Sequence, residues 1–154
     1  MQFDPATYLD VEISEPSVRR PPIPAGDYNA VIGEVKPEAW SGKPGGAAEG
    51  KTGMKYQVPL NLDLPAEVAA QVGLKEPILK LTDSVMLDLT DNGAIDNSPG
   101  KNGKLRRYRD ALDMNKPGDV FSARKMMGRP VRVKISHELY QGEIMERIDS
   151  VSKI

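Results

Sequence analysis

Between residues 27 and 151 the chain repeatedly alternates apolar and polar side chains with a period of two, the spacing of half-buried strands. The first such stretch is Asp27 to Val35, with Tyr28, Ala30 and Ile32 on one face and Val31 and Val35 on the other. Pro24-Ala25-Gly26-Asp27 reads as the turn that leads into it. The cleanest alternation follows: Met54, Tyr56, Val58, Leu60, Leu62 and Leu64 are interleaved with Lys55, Gln57, Pro59, Asn61 and Asp63. This predicts one buried and one wet face, and Pro59, which has no N–H to donate, implies an edge strand or a bulge. A third strand is expected over Ile78 to Leu89, most regular at Val85, Leu87 and Leu89. Val131, Val133 and Ile135, alternating with Arg132, Lys134 and Ser136, predict a fourth. Tyr140-Gln141-Gly142-Glu143 turns the chain into a fifth, Ile144 to Val151, where the alternation slips and a bulge is expected.

Other segments follow different rules. Pro65 to Val72 predicts a short helical turn, with proline at its start. Leu105, Tyr108 and Leu112 fall at i, i+3 and i+7, one stripe of a helix. Asp119 is placed to cap a second short helix and Gly128 to end it. Asp91-Asn92-Gly93 and Asn97-Ser98-Pro99-Gly100 are turn signals. The glycine-rich stretch 37–53, which holds Trp40, Lys43 and Lys51, reads as a mobile loop. Residues 1–25 read as an extended arm, because the prolines between Glu15 and Pro24 fix φ and remove backbone donors. Within that arm, Asp10-Val11-Glu12-Ile13-Ser14 alternates and is able to pair at a sheet edge.

The predicted order is strand, strand, strand, helix, strand, strand. It matches the OB-fold, a five-stranded Greek-key barrel that often binds oligonucleotides. The expected organisation is therefore an extended arm over residues 1–25 and a mostly-β, OB-like barrel over 26–154, with a helical insertion between strands three and four. At 154 residues the chain is long enough for one buried core. It has no cysteine, which excludes disulfides and thiolate chemistry. No run of about 18 apolar residues is present, so no membrane span is expected. The N-terminus lacks the plan of a signal peptide, which makes the cytosol the expected site of action.

Charge adds a direction. The net charge is −1, yet residues 1–100 carry a balance of −7 and residues 101–154 one of +6. Lys101, Lys104, Arg106, Arg107 and Arg109 cluster within nine residues, with Arg106 and Arg109 spaced to share an exposed helix face, and Arg124, Lys125, Arg129, Arg132 and Lys134 follow. Arg132 and Lys134 share one strand face. Such groups either solvate a surface or pair with phosphate oxygens. Single-strand binders also stack bases on aromatic rings, and this chain has only eight. Tyr28, Tyr56 and Tyr108 sit on apolar faces and are assigned to the core, which leaves Trp40 and Tyr140 as stacking candidates.

Catalytic constellations do not emerge, and no cofactor or metal is called for. Gly45-Gly46-Ala47-Ala48-Glu49-Gly50-Lys51-Thr52 matches the letters of a P-loop. That motif needs a buried strand before it and a helix after it, whereas here a predicted strand follows. His137 is the only histidine, and no grouped carboxylates accompany it to hold zinc. Asp110/Asp113 and Glu143/Glu146 are paired carboxylates of a kind that surfaces supply freely.

Four stretches occur in the order of a known family: Ile23-Pro24-Ala25-Gly26-Asp27-Tyr28, Leu105-Arg106-Arg107-Tyr108-Arg109-Asp110-Ala111-Leu112, Gly128-Arg129-Pro130-Val131-Arg132-Val133 and Glu138-Leu139-Tyr140-Gln141-Gly142. Together they resemble phage-encoded single-stranded-DNA-binding proteins of the OB-fold type, over roughly residues 23–152. The chain departs from that pattern in its Pro-rich arm, its few aromatics and its C-terminal Asp149-Ser150-Val151-Ser152-Lys153-Ile154, where many such proteins have an acidic tail. The resemblance implies a non-enzymatic protein that coats single-stranded DNA during phage replication or recombination, in the cytoplasm of an infected bacterium and beside other phage replication or recombination proteins. The expected DNA contacts are Lys101, Lys104, Arg106, Arg107, Arg129, Arg132 and Lys134, with Lys43 and Lys51 closing over from the loop and Trp40 and Tyr140 stacking bases. The alternative is a virion structural or interaction protein whose arm, bearing Val11, Ile13 and Ile23, reaches a neighbouring subunit and joins copies into an oligomer.

Overall fold

A computed structural model describes residues 2–154. The protein is mostly β, built on one antiparallel sheet of six strands: β1 (Gly26–Ile32), β2 (Lys36–Ser41), β3 (Thr52–Asp63), β4 (Ile78–Met86), β5 (Pro130–Tyr140) and β6 (Glu143–Ser152). Two helices interrupt it, α1 (Ala66–Gln71) and α2 (Gly103–Ala111). The strands run β2-β3-β1-β5-β6, and β4 pairs with the other edge of β3.

Five strands were expected and six are present, because the stretch 37–53 is not all loop. Residues 36–41 form β2, which pairs with the first half of β3, while β1 pairs with its second half. β1 and β2 are thus two parts of one run along β3, broken at Gly33–Val35. The break lies opposite Pro59, and the Gly33 N–H donates to the Pro59 carbonyl at 2.8 Å. Pro59 therefore marks neither an edge nor a bulge of its own strand. β3 has partners on both sides, and the interruption falls in its neighbour. The third expected strand is also shorter. It ends at Met86, and Leu89 instead forms an isolated bridge with Ile95. Past α2, the expected second helix is a single 3-10 turn at Ala123–Met126 preceded by Ser122; the Asp119 carboxylate accepts from the Lys116 N–H instead.

One face of the sheet is dry. Ala30, Ile32, Val58, Leu60, Leu62, Val85, Val131, Val133 and Ile135 are buried in one core, and Tyr56 and Leu87 pack partly against it. Leu105, Tyr108 and Leu112 enter the same core from α2, as their helical spacing predicts. The expected slip in the last strand is real. Lys134 pairs with Ser150 but Ile135 pairs with Ile148, so Asp149 is the extra residue of a bulge in β6.

No ladder joins β4 to β6, so the sheet is not closed. Counting antiparallel neighbours shows that the two strands run in the same direction. Two elements lie against both of them. At one end is α2, where the buried Tyr108 hydroxyl donates to Asp83 of β4 at 2.6 Å and the Lys104 ammonium meets the other Asp83 oxygen at 2.6 Å. Burial, then the adjacent Asp83 charge, pushes the Tyr108 phenol far above the ordinary tyrosine range. A pocket beside this pair is lined by Arg107 and by Ile148–Val151 of β6.

At the other end lies the last part of the arm. Arg19, Arg20 and Pro22 share a pocket with Leu81 of β4 and with Ile144, Met145 and Glu146 of β6. Ile23 is fully buried. Its N–H donates to the Glu146 carboxylate at 3.0 Å, and its carbonyl lies 2.7 Å from His137 Nε2. Arg20 meets the same carboxylate at 2.6 Å. Burial works against ionisation of Glu146, but the Arg20 guanidinium and the Ile23 N–H outweigh it and hold the carboxyl below the usual glutamate range. Residues 2–18, in contrast, are exposed.

Two outcomes follow. Ile23→Ala should cost about 2–5 kcal/mol in urea unfolding, the range for emptying a fully buried isoleucine site. Because the Glu146 carboxyl is lowered in the folded protein, its stabilising share is complete above the ordinary glutamate value near pH 4.3 and is lost as pH falls through the lowered folded value. Unfolding measured from neutral pH down through that window should show this loss in the parent protein and a flatter profile in Glu146→Gln.

Candidate nucleic-acid interface

The register of the ladders fixes which side chains share the wet face. Cross-strand partners lie on the same side, so the buried Val58, Leu60 and Leu62 place Gly53, Lys55, Gln57, Pro59 and Asn61 on the side away from the main core. Across β2 the same rows carry Trp40, Glu38 and Lys36, opposite Gly53, Lys55 and Gln57. Across β4 they carry Met86, Ser84, Thr82 and Lys80. One row continues through Asn61 to Val31 on β1 and Pro130 on β5, and the next along β5 are Arg132 and Lys134. The face is therefore continuous from β4 to β5 and holds five cations, Lys36, Lys55, Lys80, Arg132 and Lys134. Acids are interspersed, Glu38 and Asp27 among them. Gln57 donates to Glu38 at 3.0 Å and accepts from the Ser84 hydroxyl at 2.7 Å, which ties the centre of the face together. A shallow cavity of about 260 Å³ is set in it, lined by Gly33, Lys36, Gln57, Asn61, Lys80 and Thr82 among others.

Trp40 anchors one end. It lies in β2, not in a mobile loop, and its half-buried ring covers Gly53 on β3. A Cβ at Gly53 would fall 2.7 Å from Trp40 Nε1, so only glycine leaves room for the ring. The indole N–H is buried there and has no hydrogen-bond partner. Next to it a groove of about 830 Å³ runs between β2, β3 and the turn after β4, lined by Ala39, Met54, Leu87, Asp88 and Thr90 among others.

The connection from β2 to β3 is a chain of tight turns. Gly42 N–H donates to Lys51 C=O, Gly46 to Lys43, Glu49 to Gly46 and Lys51 to Ala48, all within 3.2 Å. Gly42 has to be glycine, since a Cβ would overlap the Ala48 carbonyl at 1.7 Å. Lys43 and Lys51 project from this connection at the Trp40 end. Thr52, the last of the P-loop-like letters, opens strand β3 and not a helix, so the phosphate-cradling geometry of that motif is missing.

The expected contacts therefore separate into groups. Trp40, Arg132 and Lys134 are on the wet face, Lys43 and Lys51 are exposed in the β2–β3 connection, and Tyr140 lies on the same side of β5 at its exposed far end. Arg129 is exposed just before β5. Lys104 is engaged with Asp83 and the Ser84 carbonyl, Arg107 lines the seam between β4 and β6, and Lys101 and Arg106 line a separate cavity on α2. The α2 cations thus do not join the sheet face. Lys36, Lys55 and Lys80 do, and the sequence reading passed over them. For Lys55 and Lys80 a signal was present in the period-two alternation, where each occupies a polar position beside apolar strand residues, whereas Lys36 lies in β2, which carries no such alternation; all three are far apart in sequence and are brought together only by strand pairing.

No protein-family model matches the sequence, and no curated protein matches it. Among the described residues, no helix is long and apolar enough to cross a membrane.

The Gly53 contact gives a direct check. Gly53→Val should displace the indole from β3 and red-shift Trp40 emission, while far-ultraviolet circular dichroism retains the β signal. Because Trp40 is the only tryptophan, the spectrum reads this one site.

Proposed function

We propose that the protein is an OB-like Greek-key barrel that binds single-stranded DNA on the wet face of its sheet and catalyses no reaction. The observation that carries this reading is the half-buried Trp40 at one end of a sheet face whose outward positions hold Lys36, Lys55, Lys80, Arg132 and Lys134. An aromatic platform with cations spaced along adjacent strands is what an unpaired strand needs: stacking for its bases and charge for its phosphates. The strand order supports the barrel reading. Taking β1 and β2 as one interrupted strand gives a five-strand path with a helix between the third and fourth, the order of the OB-fold, whose binding surface is the face of its second and third strands. Those correspond here to β3 and β4. The resemblance to phage single-stranded-DNA-binding proteins adds the setting: phage replication or recombination in the cytoplasm of an infected bacterium, alongside other proteins of that process.

Fluorescence titration with an unstructured oligonucleotide at low salt tests it. Trp40 emission should change and saturate. Affinity should fall with salt by about 0.7 log units per log unit of salt for each phosphate contacted. Arg132→Glu with Lys134→Glu should weaken binding to all sequences alike, since phosphates carry no sequence information, and should alter folding by no more than about 0.5 kcal/mol. A wild-type protein that fails to bind at low salt defeats the proposal, as does a double variant that binds as well as the parent.

One observation favours a second reading, an interaction or virion protein. The arm exposes Phe3, Tyr8, Leu9, Val11, Ile13 and Val18, six large apolar residues outside the core. Exposed apolar segments of this kind mark protein contacts. Under that reading, removing residues 1–18 lowers the oligomeric mass in sedimentation and leaves DNA affinity unchanged.

A further inference from the structure

Three cations on and before α2 remain without a role. Leu105, Arg106 and Arg109 lie at i, i+1 and i+4 on one side of α2, and Asn102 immediately precedes the helix. Leu105 enters the core, while Arg106 and Arg109 border a cavity of about 320 Å³ that the turn at 97–101 and Asn115 enclose. Lys101 lines the same cavity, and no carboxylate does. Among the described residues, none of these three cations makes an ion pair. Of the neighbouring acids, Asp96 feels the Lys101 charge without forming an ion pair with it, and none of them lines the cavity. Asp96 accepts from the Ser98 N–H at 2.9 Å, Asp110 from the Asn115 amide at 2.8 Å, and Asp88 from the Asn102 N–H at 2.7 Å.

The cavity is also held in shape. Asn102, buried and in the left-handed region at φ 51°, donates its side-chain amide to the carbonyls of Asp88 and Asp96, which fastens the turn to the start of α2. The Arg109 Nε donates to the Met114 carbonyl at 3.2 Å, and the guanidinium sits 4.9 Å from the Phe121 ring centre. Stacking and hydrogen bond together fix the plane of the guanidinium, and neither uses its two terminal nitrogens. Three positive charges around one cavity repel one another, and an anion between them converts that repulsion into attraction. A guanidinium fork suits the paired oxygens of a phosphate.

We propose that this cavity is a phosphate site, taking a phosphomonoester dianion or inorganic phosphate on Arg109, Arg106 and Lys101. It is separate from the wet sheet face: α2 packs on the side of β4 that carries Asp83, the partner of the buried Val58. The proposal stands independently of DNA binding. The phosphate belongs either to the end of a nucleic-acid strand or to a free molecule.

The full chain is titrated by calorimetry and NMR with inorganic phosphate, with sulfate, with a short 5′-phosphorylated oligonucleotide and with the same oligonucleotide ending in a hydroxyl. Inorganic phosphate should bind saturably at millimolar concentration or below and shift the Arg106 and Arg109 side-chain N–H resonances. Arg109→Gln and Arg106→Gln should each weaken it by about tenfold or more. Arg106 is exposed, so its variant keeps the test valid even if Arg109→Gln, which loses the Phe121 stack, proves unstable. The Arg132→Glu, Lys134→Glu double variant should leave phosphate binding intact while weakening calorimetric binding of the hydroxyl-ended oligonucleotide, which separates failure of this site from failure of the sheet face. Tighter binding of the 5′-phosphorylated strand, lost in Arg106→Gln, supports the strand end as the source; binding of inorganic phosphate alone supports the free molecule. No saturable phosphate binding, binding unchanged in both arginine variants, or equal binding of sulfate would overturn the proposal.

Discussion

A sheet whose β4 and β6 share no hydrogen bonds has a seam that other parts of the chain must cover, and the architecture follows from how that is done. α2 covers one end through Tyr108 and Lys104, which together occupy both oxygens of Asp83. Asp83 is a buried acid on a core position of β4, and such a group is tolerated only when its charge and acceptor sites are met. Ile23 covers the other end, positioned by the Glu146 carboxylate on its own N–H. Each closure joins an apolar plug to a carboxylate: Tyr108 with Asp83, Ile23 with Glu146. The apolar part fills space and the carboxylate fixes register.

This division of labour separates the charged groups by purpose. Lys104 is committed to the seam, and Arg20 to the Glu146 plug. The wet face draws its cations from four strands, with no more than two from any one of them. That dispersal spreads the charges across the sheet. The α2 cavity has the opposite arrangement, with three cations converging on one volume.

Much of the fold was legible in the chain because period-two burial is a local signal. Val58, Leu60, Leu62, Val131, Val133 and Ile135 alternate cleanly and are buried as expected. The helical stripe Leu105, Tyr108 and Leu112 was legible for the same reason. β2 was not, since Lys36-Pro37-Glu38-Ala39-Trp40-Ser41 carries no alternation of apolar residues; it is a strand because β3 continues past β1 and offers a free edge, and because Gly53 makes room for Trp40. The role of Ile23 was also hidden. Its proline neighbours describe an extended segment correctly, but its burial depends on Glu146 and His137, more than a hundred residues away. On the wet face Arg132 and Lys134 were found through their strand pattern, whereas Lys36, Lys55 and Lys80 became neighbours only through the ladders.

The β5–β6 hairpin reaches beyond the rest of the sheet. β1 accompanies β5 only as far as Ile135, and from Ser136 to the Gln141-Gly142 turn the two strands have only each other as ladder partners. Two-stranded ribbons are marginal on their own, so the projecting part draws its second layer from Arg19, Arg20 and Ile23. The arm's root and the ribbon's outer half therefore depend on each other for their packing. In native-state hydrogen exchange, the amides of Ser136–Tyr140 and Glu143–Arg147 would lose protection together with that of Ile23. A chain end and a hairpin far from it in sequence would thus share a single opening equilibrium.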